Sequence, residues 1–88
     1  MEFRTKDITE AAFLWCQPEI SFVRKTTVPR KPRGVTVFFV FEGIGAEEFN
    51  KLRREFYNQR STVEPKQFAQ ALLDVRNILH TVLRGEQR

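Results

Sequence analysis

Arg24, Lys25, Arg30, Lys31 and Arg33 fall within ten residues that hold no acid, and Pro29 and Pro32 punctuate the same run. Cations concentrated on one connection suit a polyanion, because each phosphate they neutralise releases condensed counterions. A proline-stiffened basic finger between two strands is also the kind of element that β-ribbon proteins lay into a groove. Nucleic acid, DNA or RNA, bound through non-specific phosphate contacts, is therefore the leading expectation for this segment. Two other readings stay open: contact with an acidic protein surface, and a solvated connection whose Lys and Arg only keep an edge strand from pairing. A second basic group, Lys51, Arg53, Arg54 and Arg60, is diluted by Glu47, Glu48 and Glu55. It extends the first group if the fold brings the two together.

Residue types suited to catalysis occur singly. His80 is the one histidine, and its neighbours four residues away in either direction are Arg76 and Arg84. A metal site or a general base needs ligands or an orienting partner there. Cys16, the one cysteine, rules out a disulfide within the chain and reads as a small apolar residue near a helix end. Glu47 and Glu48 are adjacent on a helix, where side chains diverge by about 100°, so they do not converge on one ion or sugar. Gly43-Ile44-Gly45 lacks the further glycine and the lysine of a phosphate-binding loop and reads as a strand-to-helix turn. The chain is expected to be non-enzymatic, with no metal or cofactor.

The elements that position the cations follow from hydrophobic periodicity. Residues 2–6 alternate as a short strand. Asp7-Ile8-Thr9-Glu10 fits a capping box in which Asp7 takes the first free amides and Glu10 reaches back. Ile8, Ala11, Ala12 and Trp15 then mark one face of a helix that Pro18 closes at about Gln17. Residues 20–27 read as a half-buried strand, Pro29 to Gly34 as the connection, and residues 35–41 as a strand apolar on both sides. Such a strand is expected in the middle of a sheet or covered on both faces. Ala46 to about Tyr57 forms the next helix, with Glu47 and Glu48 in its first turn. The last helix starts with Pro65 at its first position, carries Phe68, Leu72, Val75, Leu79 and Val82 as its stripe, and stops at Gly85. The order (β)αββαα predicts a single small α+β domain of two layers, an antiparallel hairpin sheet on helices.

Composition sets the outer limits. Eighty-eight residues, 41% of them apolar and nine of them Phe, describe one folded domain with a thin stability margin. The net charge of +4 is unevenly placed, since residues 20–41 hold five bases and no acid. No signal peptide and no membrane span is read, so a cytoplasmic location is expected. Some apolar residues exceed what one small core requires. Phe38 and Val40 occupy the second face of their strand, and Leu73, Ile78 and Val82 lie along a wide stripe on the last helix. Burial within the chain is the simpler reading for them. A homodimer interface, or the face of an adaptor or effector of a larger complex, is the alternative, and Phe38 is also suited to stacking on bases of a single strand.

The segments TKDITEAAFLW, FFVFEG, the FN after it and STVEPKQFAQALLDVRNIL resemble a family of short uncharacterised proteins of bacteria, archaea and mobile elements, grouped as a domain of unknown function. Its pattern is a Thr-x-Asp start, an Ala-Ala-aromatic-Leu helix, a Phe-x-Phe strand end and a Val-Asp-Pro helix start. The resemblance spans nearly the whole chain and implies the same element order, with no assigned activity. Glu64 stands here for the acid expected to cap the last helix, and the hairpin is longer and more basic.

Overall fold

Six elements follow one another in this computed structural model, which describes residues 2–58 and 62–86: β1 (Glu2–Thr5), α1 (Ile8–Trp15), β2 (Ser21–Pro29), β3 (Val35–Glu42), α2 (Ala46–Tyr57) and α3 (Pro65–Glu86). Arg60, counted above with the second basic group, lies outside the described residues. The three strands form one antiparallel sheet in the order β1-β3-β2. The strand that is apolar on both sides is thus the central one, as its composition requires.

Capping chemistry sets the helix starts. The Asp7 carboxylate accepts hydrogen bonds from the Thr9 and Glu10 amides at 2.9 and 3.1 Å and from the Thr9 hydroxyl at 2.6 Å. Glu10 does not complete the box. The Asp7 amide donates instead to Thr5 Oγ1, and the Glu10 side chain is fully buried. The helix stops at Trp15, earlier than expected, with Cys16 as its C-cap. Pro18 disfavours helical geometry at Gln17, whose side chain turns back and donates to the Phe13 carbonyl. At α3, Glu64 serves as the cap: its carboxylate accepts from the Gln67 amide at 2.6 Å, with Pro65 at the first helical position. The helix does not stop at Gly85 but continues to Glu86. Glycine destabilises a helix by only about 1 kcal/mol and need not end one.

The core lies on one side of the sheet. Phe39 and Phe41 of β3 are fully buried with Leu14, Ala11 and Ala12 of α1 and Val75 of α3. Phe3 stacks on Phe49 of α2 with ring centroids 3.9 Å apart, Phe13 meets Phe56 at 5.1 Å, and Trp15 stacks on Phe22 at 4.8 Å. Each large side chain removed from water contributes roughly 2–3 kcal/mol, and aromatic pairing adds about 1 more. Ile78 and Val82, weighed as interface residues, pack against this core, whereas Leu73 is exposed. No helix among the described residues is long and apolar enough to cross a membrane.

At the end of β3 the chain turns through Gly43, where φ is +129° and a Cβ would run into the Glu19 carbonyl oxygen. Only glycine fits both conditions. Gly43→Ala is therefore expected to destabilise the protein by about 2 kcal/mol or more, against a much smaller effect for Gly45→Ala, which points into open space. Urea titration separates the two. Asp7 supplies a pH signature. Partial burial opposes its ionisation, but the Thr9 and Glu10 hydrogen bonds outweigh it and hold the carboxyl below its ordinary value. A depressed folded-state pKa gives stability that is complete above the unfolded value of about 4 and lost as pH falls through the folded one. Asp7→Ala should lower stability by about 1 kcal/mol at neutral pH and remove this carboxyl's share of the acid limb of a denaturation series.

Candidate nucleic-acid interface

The basic run does not form one long finger. Pro29 closes β2 opposite Val35, so it joins the ladder after all; β2 is an edge strand, where a missing N–H can face water. The connection shrinks to residues 30–34, and the Arg30 amide donates to the Gly34 carbonyl at 2.9 Å. Gly34 has φ +95°, a conformation that suits glycine; the Arg30 guanidinium, 3.3 Å from where a Cβ would stand, is the movable end of an exposed side chain. Arg30, Lys31 and Arg33 are all exposed on this tight tip. None has a carboxylate within ion-pair distance among the described residues.

Arg24 and Lys25 sit mid-strand, away from the tip. An irregularity between Phe22 and Arg24 inserts Val23 as an extra residue: Phe22 pairs with Phe41, yet Arg24 pairs with Val40. Without that bulge Arg24 would lie opposite Phe39, on the core side. With it, Arg24 shares the outer side with Val40 and Arg4. There it donates two hydrogen bonds, both 2.8 Å, to the Glu2 carboxylate of β1, an ion pair that straddles β3. The Arg24 hydrogen bonds hold Glu2 below the usual carboxylate range, and Glu2 raises Arg24 in turn. Half of each side chain stays in solvent. Among the described residues, Arg24 is the one member of the five with a carboxylate within ion-pair distance.

The second basic group is not brought to the tip. Helix α2 packs through Phe49 on Phe3 of β1 and through Phe56 on Phe13 of α1, and neither contact involves the hairpin. Lys51 and Arg54 are solvated and border a shallow depression of about 820 Å³ with Glu47, Asn50, Tyr57 and Asn58. Arg53 is diverted. Its Nε lies 3.4 Å from an oxygen of the fully buried Glu10, and its guanidinium lies 5.7 Å from the Phe49 ring. The approach is an ion pair without hydrogen-bond alignment, so both Glu10 oxygens and Arg53 Nε lack a hydrogen-bond partner among the described residues. The facing Glu10 carboxylate raises the Tyr57 phenol above its ordinary pKa. Arg53, despite partial burial, is held above its own by Tyr57 and Glu10.

Cys16 is half-buried. Burial, with the Glu64 carboxylate second, pushes its thiol up, away from the thiolate a nucleophile needs. His80 is exposed on α3. Sequence reasoning passed over Arg4, which lies over the Phe38 ring with its guanidinium carbon 4.6 Å from the centroid. The alternation of EFRT marks Arg4 as outward-facing, but its pairing with Phe38 depends on the β1–β3 register. Phe38 and Val40 both lie outside the core cluster that the helices share; Val40 is nonetheless buried, as the simpler reading expects, whereas Phe38 is only half-buried. Searches of family models, curated proteins and solved structures found no match to this chain.

Glu10 and Arg53 form a pair whose halves are unequal, one fully buried and one half-exposed. Arg53→Met should destabilise the protein by about 2–3 kcal/mol, since it strands a buried carboxylate. Glu10→Gln should be close to neutral and should rescue Arg53→Met when combined with it. A double-mutant cycle by chemical denaturation checks this.

Proposed function

We propose that this is a small, basic, non-enzymatic protein that binds nucleic acid, on its own or as an accessory subunit of a nucleic-acid-processing complex, with its hairpin tip on the phosphates. The observation that carries the reading is the state of the cations. Arg30, Lys31 and Arg33 are exposed on a turn held by the β2–β3 ladder, and among the described residues no carboxylate lies within ion-pair distance of them. A cluster of that kind projects a positive field with little loss of order on binding, because the backbone that carries it is already fixed. Lys25 adds a fourth exposed cation further along β2. Arg24 contributes only by leaving Glu2, and Lys51 and Arg54 belong to a different part of the surface.

The contacts expected are to phosphates, so affinity is electrostatic and largely independent of sequence. Three or four neutralised phosphates give a log–log salt slope of about −2.7 to −3.6 on duplex DNA. Replacing Arg30, Lys31 and Arg33 together by Ala should bring the slope to about −1 or less and weaken binding at low salt at least tenfold. Anisotropy titrations across a salt series measure both quantities. A slope near zero for the wild-type protein, or unchanged binding by the triple variant, overturns the reading. Light scattering on the same samples reports whether a dimer forms that salt leaves unaffected, the outcome that an interaction module would give.

A further inference from the structure

The sheet has two unlike faces. Phe39, Phe41 and Val37 look into the helical layer, together with Phe22 and Phe3. The register places the alternate residues in rows on the other face: Glu2, Glu42 and Ser21; then Arg4, Val40 and Arg24; then Phe38 with Thr26; then Thr36 with Val28, next to the tip. A solvated face of an antiparallel sheet is ordinarily polar. Here its centre holds a phenylalanine and a valine. Val40 is only 4% exposed, yet it stands outside the buried core cluster. It forms the floor of a depression of about 330 Å³ whose walls include Glu2, Arg4, Arg24 and Thr26. Phe38 is half-buried beneath the Arg4 guanidinium. Arg4 has no carboxylate within ion-pair distance among the described residues.

We propose that this helix-free face is a stacking platform for single-stranded nucleic acid, with Phe38 and Arg4 holding a base and the tip cations holding the phosphates that precede it. The inference rests on the nucleic-acid reading above and specifies its ligand. The Arg4 guanidinium already covers the Phe38 ring, so a base stacks on the outer plane of that guanidinium or takes its place on the ring, and both are surfaces on which unpaired bases stack. A duplex keeps its bases stacked on one another and cannot offer one to a flat sheet, so it uses the tip alone.

Spacing supports one continuous path. Phe38 stands three residues from Val35, about 10 Å along the strand, and the Arg4–Val40–Arg24 row lies about 7 Å further on. A strand of roughly four nucleotides covers the way from Arg30, Lys31 and Arg33 to that row. Charge sets the far limit, because the next row presents Glu2 and Glu42. The polyanion is attracted at the tip and repelled at the opposite end, and the Glu2–Arg24 pair marks the boundary.

The test compares a labelled oligo-dT of about ten nucleotides with a duplex of the same length at low salt, by anisotropy. The wild-type protein should bind the single strand more tightly. Phe38→Ala should weaken single-strand binding by about 5- to 100-fold and leave duplex binding within about twofold. Phe38→Trp should retain single-strand binding, and the indole it introduces should be quenched on binding, against a constant background from Trp15 on the other side of the sheet. Circular dichroism checks that Phe38→Ala is folded; if it is not, Arg4→Ala and Phe38→Trp carry the comparison. Single-strand affinity insensitive to these changes but lost in the tip triple variant overturns the platform and leaves the tip reading standing. Equal losses on both ligands also overturn it. Binding to neither ligand removes both proposals together.

Discussion

Phe39 and Phe41 are fully buried on the central strand, and the remaining elements take their places from those two rings. Their burial requires a helical layer on one side, which α1 provides with Ala11, Ala12 and Leu14 and α3 with Ala71 and Val75. Helix α1 packs closely against α3, and Ala11, Ala12 and Ala71 keep the side chains of that layer small. Phe3 and Phe22 extend the aromatic layer to the flanking strands, and Phe49, Phe56 and Trp15 bring the helices onto it. Because side chains alternate along a strand, burying Phe39 and Phe41 forces Phe38 and Val40 to the opposite side. The unusual outer face is thus a geometric consequence of the core.

Charge is distributed with equal economy. Of the cations in residues 20–41, Arg24 is tied to Glu2 by two hydrogen bonds, and in α2 Arg53 turns to the buried Glu10. Both pairs join elements distant in sequence, β1 with β2 and α1 with α2. The Glu10 pair is energetically poor, since the carboxylate is fully buried and its oxygens lack aligned donors. Buried ionic groups of this kind are weak contributors to stability, and their retention more often bears on which arrangement the chain adopts. What they leave around the hairpin and the outer face, among the described residues, is three cations on the tip, a fourth on β2 and Arg4, none with a carboxylate within ion-pair distance.

Much of the architecture was legible because local signals and the core agreed. The Asp7 cap, the Pro65 start of α3 and the alternation of Val35 to Phe41 each rest on a few neighbouring residues, and each stands where it was expected. Misreadings arose where a side chain had a distant alternative. Glu10 satisfies the spacing of a capping box, but Thr5 takes the Asp7 amide and Arg53 draws the carboxylate inward. Pro29 looks like a loop residue, yet an edge strand accommodates it. Glu64 departs from the expected acid and still reaches the Gln67 amide, because the longer side chain can fold back over the first turn.

The order of elements, the α+β class, the apolar stripes and the concentration of charge in residues 20–41 were set by the sequence alone. These properties come from periodicity, propensity and composition, which act over a few residues at a time. Tertiary structure decided which cations remain free and which side of the sheet each occupies. The bulge at Val23 moves Arg24 to the outer side, β1 brings Glu2 and Arg4 to residues more than thirty positions away in the chain, and α2 carries Lys51 and Arg54 away from the hairpin. Strand register and helix packing are long-range properties, fixed only once the whole chain has closed around Phe39 and Phe41.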